Sequence, residues 1–232
     1  MCPQSDSPKA AFETDILPTS AGDVQTTFLG HGSLLFAFQG LNIYVDPFGQ
    51  VADYSALPKA DLILITHEHH DHLDPAALGH IRTGRSEVIL TEACARQVPG
   101  GVVLRNGESH RALGILVEAV PAYNVVHLRG NGQPFHPQGV GNGYVLTFGD
   151  QRVYVAGDTE NIPEMKRLAG IACAFLPMNL PYTMTPEMVA DAAQAFRPRI
   201  VYPYHYGDTD TSRLQELLKA VPGIEVRIRR MA

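Results

Sequence analysis

The sequence predicts an α+β fold, because short strand-like runs come in groups and helical segments separate the groups. Hydrophobic residues make up 45% of the 232 residues and charged residues 18%, proportions that suit a folded domain with a sizeable core. A doubly wound fold would place a helix after nearly every strand, and the predicted order does not. A layered arrangement of strands and helices is therefore favoured.

The first third of the chain divides into a polar arm and a run of strands. Residues 1–22 are polar and contain several Pro and Ser residues, which predicts a flexible N-terminal arm ahead of a single domain over residues 23–232. Apolar runs bounded by turn residues then predict four strands: Val24–Leu29, Ser33–Phe38, Leu41–Val45 and Asp61–Ile65. A helix follows to about Ile81, since Asp74 can cap its N-terminus and Pro75 suits its first position.

The remainder of the chain continues the pattern with longer connections. The predicted strands are Glu87–Leu90, Val102–Leu104, Ile115–Val120, Tyr144–Phe148, Arg152–Ala156, Ala172–Leu176, Ile200–Tyr202 and Ile224–Ile228. The predicted helices are Ile162–Leu168, Glu187–Phe196 and Asp210–Ala220. Between them lies a Gly-, Asn- and Pro-rich segment, Pro121–Gly143, whose length is typical of a functional or a disordered loop.

Charge and cysteine usage narrow the classes of function. The formal net charge is −6, and the one basic block is the short tail Arg227–Arg230, so no nucleic-acid partner is predicted. Cys2, Cys94 and Cys173 lack metal-type spacing, and no apolar signal segment is present, which predicts a reduced, cytoplasmic protein. No apolar run has the length of a membrane span. The expected partner is a small-molecule substrate, and the sequence leaves a homo-oligomer open.

The most informative stretch is Thr66-His67-Glu68-His69-His70-Asp71-His72, which directly follows a predicted strand. Imidazole and carboxylate groups are common ligands of zinc, iron and manganese. On extended backbone His67 and His69 point the same way, and Asp71 and His72 can face the same centre one turn later. A solvated polar loop is the alternative, but such loops rarely concentrate imidazole in this way. The stretch therefore predicts a metal site.

Two other strand ends carry side chains of the same kind. Asp158 lies in Ala156-Gly157-Asp158-Thr159, and His205 lies in Tyr202-Pro203-Tyr204-His205-Tyr206-Gly207. Taken alone, Asp158 could cap a turn and His205 could be a packed aromatic residue. Three strand ends with ligand-type side chains are, however, what a binuclear site at one sheet edge requires.

Together these motifs resemble the metallo-β-lactamase superfamily from about Val24 to Ile228. The resemblance rests on His-x-His-x-Asp-His, on the later Gly-Asp-Thr and on the final His-Tyr-Gly. Gly30-His31-Gly32-Ser33 and Asp46-Pro47 are similar to an uncharacterised branch of metal-dependent hydrolases, which includes ascorbate-phosphate lactonase-like and N-acyl-phosphatidylethanolamine phospholipase-like proteins. The resemblance implies a four-layer αββα sandwich of two mixed β-sheets, with the metals at one edge.

The resemblance also implies two divalent transition metals, with zinc favoured and manganese or iron as alternatives. The implied ligands are His67, His69, Asp71, His72, Asp158 and His205. His67 and His69 would hold the first metal, and Asp158 would bridge to the second. Relatives with diiron redox chemistry usually have an acid where this chain has His69, so hydrolysis is the implied reaction.

The chain departs from the family pattern at Asn124, where a further first-site His is usual. Asn is a poor ligand for zinc-like ions. Either the first site has one protein ligand fewer, or a loop His substitutes. The candidates are His136 and His127, and His136 is preferred because Pro137 beside it can hold it rigidly.

The expected function is that of a metal-dependent hydrolase acting with a metal-activated water on a small ester, lactone, amide or phosphodiester. Asp71 is expected to be catalytic, as a ligand and as acceptor for the proton of the nucleophile. Residues expected to support the ligands are Asp46, Thr66, His31 and Asn124. The alternatives are a metal-binding or sensor protein with little turnover, or a nucleic-acid phosphodiesterase, which would need a basic face.

Overall fold

Two seven-stranded sheets dominate the computed structural model, which describes residues 11–232. In both sheets the strand order follows the chain. The first sheet contains β1 (Glu13–Leu17), β2 (Val24–Gly30), β3 (Ser33–Phe38), β4 (Leu41–Val45), β5 (Leu62–Leu64), β6 (Glu87–Leu90) and β7 (Val102–Val103). The second contains β8 (Ser109–Ala112), β9 (Ile115–Ala122), β10 (Gly141–Phe148), β11 (Gln151–Val155), β12 (Ile171–Pro177), β13 (Ile200–Tyr204) and β14 (Glu225–Val226).

The pairing changes direction at the same place in the two sheets. Strands β1 to β4 are antiparallel, and pairing from β4 onwards is parallel. Likewise β8 to β11 are antiparallel, and pairing from β11 onwards is parallel. The parallel strands therefore all end at one edge of their sheet, which is where loops can converge on a site.

Helices cover the outer faces of the sheets. They are α1 (Pro75–Ile81), α2 (Glu92–Ala95), α3 (Pro186–Phe196) and α4 (Ser212–Leu218), and single 3-10 turns occur at Tyr54–Ala56 and Met165–Arg167. As expected, Asp74 accepts hydrogen bonds from the first turn of α1 and Pro75 occupies its first position. None of the helices in the described range is long and apolar enough to cross a membrane.

Three apolar layers hold the sheets and helices together. Phe36 and Tyr144 are wholly buried between the sheets, whereas the next residue on each strand, Ala37 or Val145, points to the other side, as the period of two requires. A second layer fills the space between α3 and the second sheet, and a third packs α1 against the first sheet. Burial of these apolar side chains is the main stabilising contribution. The predicted αββα sandwich of two mixed sheets is confirmed.

The predicted flexible arm over residues 1–22 is wrong for Glu13–Leu17, which forms β1 and pairs with β2 in antiparallel register. Residues 1–10 lie outside the described range. The strand is largely polar, and residues distant in the chain hold it in place. The Asp15 carboxylate accepts hydrogen bonds from Arg229 at 2.7 and 2.8 Å and from the Tyr202 hydroxyl at 2.6 Å. Local hydrophobicity therefore gives no signal for this strand.

Several smaller predictions were also corrected. The helix predicted over Ile162–Leu168 is a single 3-10 turn at Met165–Arg167, because Glu164 before the turn makes no side-chain capping hydrogen bond and the backbone is already extended at Leu168. Strand β8 and helix α2 were not predicted, since both are short and carry charged residues. The basic tail Arg227–Arg230 is engaged structurally, because its arginines pair with Glu13, Asp15 and Glu225.

Asp15→Asn should lower the free energy of unfolding by about 1–2 kcal/mol, because the charged partner of Arg229 is lost in a half-buried position. Equilibrium urea denaturation at fixed metal content measures this. The control is Asp23→Asn, which changes the same chemical group at an exposed position and should stay within about 0.5 kcal/mol of the unsubstituted protein. Equal stabilities for the two variants would show that β1 does not depend on this ion pair.

Candidate metal centre

The predicted site residues converge at the edge where the parallel strands end. Asp46 follows β4, His67 follows β5, Asp158 follows β11 and His205 follows β13, while His31 lies in the tight turn between β2 and β3. Both sheets contribute, so residues far apart in the chain become neighbours. The topology, and not the local sequence, brings them together.

Their ligand-type atoms form two groups, in each of which the atoms lie within 4.8 Å of one another. The first group contains His67, His69, His136 and Asp158, and the second contains His31, Asp71, His72 and His205. Asp158 lies between them: its Oδ2 is 3.2 Å from His136 Nε2, and its Oδ1 is 3.4 Å from His72 Nε2. One carboxylate therefore faces both groups.

Several of these atoms are buried without a hydrogen-bond partner in the described part of the chain. They are Nε2 of His67, His72, His136 and His205, and Oδ1 of Asp158. Leaving such atoms unpaired costs about 1–3 kcal/mol each, so native proteins rarely do so. Imidazole nitrogens and carboxylate oxygens are the donor set of zinc-like cations, and the residues present fit such an ion.

The carboxylates and imidazoles of the cluster shift each other's pKa values strongly. Burial lowers the pKa of His72, but the carboxylates of Asp158 and Asp46 outweigh it and raise that pKa to about 9. Burial likewise would raise the pKa of Asp158, yet His205 and His72 hold it well below its usual range. A proton on His72 thus balances the same negative charge that a bound cation would neutralise.

The backbone around the cluster adopts conformations that non-glycine residues rarely take. His31, Asp46 and His205 have φ angles of 52°, 44° and 45°. Strained residues of this kind concentrate at functional sites, where the surrounding structure holds them. Gly32 is required beside them, because a Cβ atom there would lie 2.9 Å from Cε1 of His72.

Asp46 fixes the orientation of two imidazoles. It is fully buried and accepts from His72 Nδ1 at 2.8 Å and from Thr66 Oγ1 at 2.6 Å. Because the Thr66 hydroxyl donates to Asp46, its oxygen is left to accept from His67 Nδ1 at 3.0 Å. Each ring is thereby held with its Nδ1 proton toward an acceptor, which leaves Nε2 as the atom that faces the centre and would bind a cation.

Asn124 performs the same task for His136. Its Oδ1 accepts from the backbone N–H of His136 at 2.7 Å and from the ring Nδ1 at 2.8 Å, and its Nδ2 donates to the carbonyl of Tyr182 at 2.9 Å. His136 is the loop histidine that reaches the first group. The other candidate, His127, is in neither group of ligand atoms and pairs with Glu160 instead. Its Nδ1 is 2.5 Å from a carboxylate oxygen of that residue.

Comparison with known proteins decides the family. A model of the beta-lactamase superfamily domain matches residues 25–205. The chain belongs to the metallo-β-lactamase superfamily. A UPF0173 metal-dependent hydrolase of Methanopyrus kandleri is 30% identical over 200 residues, which are 79% of this chain and 84% of that protein.

Solved structures agree. A crystal structure from Parabacteroides distasonis, described as a metal-dependent hydrolase, has a TM-score of 0.91 and 48% identity, and the match covers 95% of this chain and 100% of that one. Igni18, a metallo hydrolase of Ignicoccus hospitalis, shares the fold with a TM-score of 0.71 at 24% identity, covering 90% and 96%. The chain is therefore a metal-dependent hydrolase of this superfamily, with a His/Asp cluster able to bind metal.

Glu160 supports the loop beside the site, and the sequence analysis missed it. Its carboxylate is completely buried and accepts from the backbone N–H groups of Val125, Val126 and His127 at 2.6, 2.6 and 2.8 Å. It thereby ties the loop that carries Asn124 to the end of β11. The one available signal was its place directly after the superfamily's Gly-Asp-Thr motif.

Two cavities open onto the cluster. One, of about 450 Å³, reaches Asp71 and His205, and the other, of about 200 Å³, reaches His67. Arg129 and Phe135 line both, and neither residue was singled out in the sequence. Volumes of this order suit a small molecule.

Glu160→Gln should loosen this loop, because an amide NH2 group would then face backbone N–H donors. We expect faster hydrogen exchange over residues 125–127 and a loss of about 1.5–3 kcal/mol of unfolding free energy. Exchange mass spectrometry measures the first and urea denaturation the second. The control is Glu164→Gln, since Glu164 accepts one hydrogen bond, from the Tyr123 hydroxyl at 3.0 Å.

This effect should depend on pH. Burial would raise the pKa of Glu160, but the hydrogen bonds from His127, Val125 and Val126 outweigh it and lower that pKa. A lowered pKa means that the stabilisation is complete at neutral pH and is lost as pH falls through the folded-state value. The difference between the unsubstituted protein and the variant should therefore shrink below about pH 4. A difference that grows on acidification would contradict the assignment.

Proposed function

We propose that this chain hydrolyses a small ester, lactone, amide or phosphodiester at a centre of two divalent transition metals, with zinc foremost and manganese or iron as alternatives. The observation that carries the proposal is the single carboxylate of Asp158, which faces two groups of orphaned, buried ligand atoms. A structural zinc site needs one such group and is usually rich in Cys. Two groups that share one carboxylate suit catalysis by a metal pair.

The ligand assignment follows the two groups. The first metal would be held by His67, His69, His136 and Asp158, and the second by Asp71, His72, His205 and Asp158. His31 is assigned to Asp71, since its Nε2 lies 3.0 Å from Asp71 Oδ2. Imidazole-rich sets of this kind favour zinc, whereas oxygen-rich sets would favour manganese.

When bound, the two cations lower the pKa of a water to near neutrality and polarise the oxygen of the attacked group. Asp71 faces the larger cavity and is partly exposed there. Burial would raise its pKa, but His205, whose Nε2 lies 3.5 Å from Asp71 Oδ2, and the hydrogen bond with His31 outweigh that and hold the pKa below its usual range. Asp71 is therefore an ionised acceptor, which orients the attacking water through a hydrogen bond and takes up its proton only transiently.

Two features support a hydrolase of small molecules over the alternatives. The three arginines of the stretch Arg227–Arg230 pair with Glu13, Asp15 and Glu225, so this stretch offers no free basic face for nucleic acid. The reading as a sensor without turnover rested on Asn124, and His136 supplies the imidazole that Asn124 lacks. A cytoplasmic location stays a prediction from the sequence, and a homo-oligomer stays open.

The first test is elemental analysis of protein purified without tags or chelators. We expect about two equivalents of zinc, manganese or iron per chain, because two groups of ligands share Asp158. Asp158→Ala should lose most of both, since the shared carboxylate is removed. The control is His70→Ala, whose side chain is 85% exposed between two ligands, and it should keep the full metal content.

Activity is measured in parallel on a panel of an ester, a lactone and a phosphodiester. Asp71→Ala should lower kcat by roughly 100-fold or more on whichever substrate the protein hydrolyses. A chain that binds no transition metal, and gains none on reconstitution, would end the proposal. A fully metal-loaded protein that hydrolyses none of a broad set of esters, lactones, amides and phosphodiesters would also end the proposal.

Asn124→Ala should weaken binding of one of the two metals by about 10- to 100-fold and leave the other unchanged, because His136 loses the acceptor that orients it. Competition with a chromophoric chelator resolves the two affinities. The control is Asn131→Ala, an exposed residue of the same loop. Equal weakening of both metals, or none, would show that Asn124 does not act through His136.

A further inference from the structure

Arg129 lines both cavities of the site, and its place there points to the kind of substrate. Among the described residues that line the two cavities it is the one Lys or Arg. The two cavities share it with three residues of the metal cluster: His69, His136 and Asp158. We propose that Arg129 binds a compact anionic group of the substrate, a carboxylate or a phosphate, beside the bond that is cleaved. This inference rests on the proposed hydrolase function and names its substrate class.

Arg129 is held in position although it lies on an exposed loop. Its guanidinium carbon is 4.9 Å from the centre of the Phe135 ring, and one of its terminal nitrogens donates to the Phe135 carbonyl at 3.2 Å. Its backbone N–H donates to the Gln133 carbonyl at 2.7 Å, and its carbonyl accepts from Gly132 at 2.8 Å. A side chain fixed in this way loses little conformational entropy when it binds a ligand.

The guanidinium has donors to spare. One hydrogen bond uses a single N–H group of five, and Arg129 has no carboxylate within salt-bridge distance among residues 11–232. Phe135 screens one face of the group from water, and the edges remain available. A guanidinium edge matches the two oxygens of a carboxylate or phosphate.

The charge balance of the larger cavity also favours an anion. The acidic side chains that line it are Asp71 and Asp158, and both are assigned as metal ligands. Two divalent cations would more than neutralise these two carboxylates, and Arg129 adds a further positive charge. With both cations bound, a protein of formal net charge −6 would therefore have a locally positive site, where Arg129 adds its attraction for an anionic substrate.

The walls of the larger cavity set the size of the substrate. Its volume is about 450 Å³, and the rings of Phe135 and Tyr182 meet edge to face along it with centroids 5.1 Å apart. Tyr182 is 45% exposed, so it offers an apolar surface to a ligand. A small molecule with one anionic group and an apolar or flat body fits this combination.

The test compares a charged ester with its neutral counterpart. 4-Nitrophenyl hydrogen terephthalate carries a free carboxylate that cannot reach its own ester across the ring, and its methyl ester lacks that charge while keeping the same nitrophenyl ester bond. For metal-loaded protein, Arg129→Gln should raise KM for the charged ester by about 10- to 100-fold with little change in kcat, and should leave the neutral ester unaffected. Arg129→Lys should restore part of the loss. The control is Arg111→Gln, an exposed arginine of β8 whose guanidinium donates to the Gly114 carbonyl.

A binding measurement separates this inference from the hydrolase proposal. Isothermal titration of succinate and of inorganic phosphate into the metal-loaded protein reports anion affinity without turnover, and their relative affinities tell carboxylate from phosphate recognition. If Arg129→Gln weakens either anion by about 10-fold or more, Arg129 is the anion site even if neither ester is hydrolysed. If the protein hydrolyses both esters, and Arg129→Gln changes neither KM nor anion affinity, the hydrolase stands and the role of Arg129 is overturned.

Discussion

The buried carboxylate of Asp158 is the interaction on which the rest of the site depends. It is an anion nine-tenths or more removed from water, with histidine nitrogens at 3.2, 3.4 and 3.6 Å, and burial of such a charge is stable only beside opposite charge. Protonated histidines can supply that charge, as the raised pKa of His72 shows, and divalent cations can supply more of it. The buried Nε2 atoms around Asp158, which lack a hydrogen-bond partner in the described part of the chain, are then explained as atoms placed to bind cations.

Holding this charge cluster requires backbone geometry that the apolar layers stabilise. His31, Asp46 and His205 all have left-handed φ angles, each of which costs on the order of 1–3 kcal/mol. Each follows a strand that is buried between apolar layers, so the strands fix where the chain must turn. Asp46 then links the strain to function, because the same residue accepts from Thr66 and His72 and thereby sets which nitrogen each imidazole offers.

The sequence was sufficient for what is local and insufficient for what depends on distant contacts. The His67–His72 stretch could be predicted because strand end, spacing and residue type lie within a few positions of each other. Strand β1 could not, since Arg229 and Tyr202 at the far end of the chain hold Asp15. The sequence favours His136 over His127 because Pro137 lies beside it. The physical reason is the pair of hydrogen bonds to Asn124, which depends on how a long loop folds back.

One loop links metal binding to substrate recognition. This loop is the connection of residues 123–140 between β9 and β10, since the ends of the predicted loop Pro121–Gly143 belong to these strands. It carries His136 for the first metal group and Arg129 with Phe135 for the cavity above it. Glu160 anchors the start of this loop directly beside Asp158, and Asn124 joins it to the segment that carries Tyr182. A displacement of the loop would therefore move a ligand imidazole and the guanidinium together. Because His136 lies on this loop, changes in the loop that alter the substrate must keep His136 beside the first group of ligand atoms.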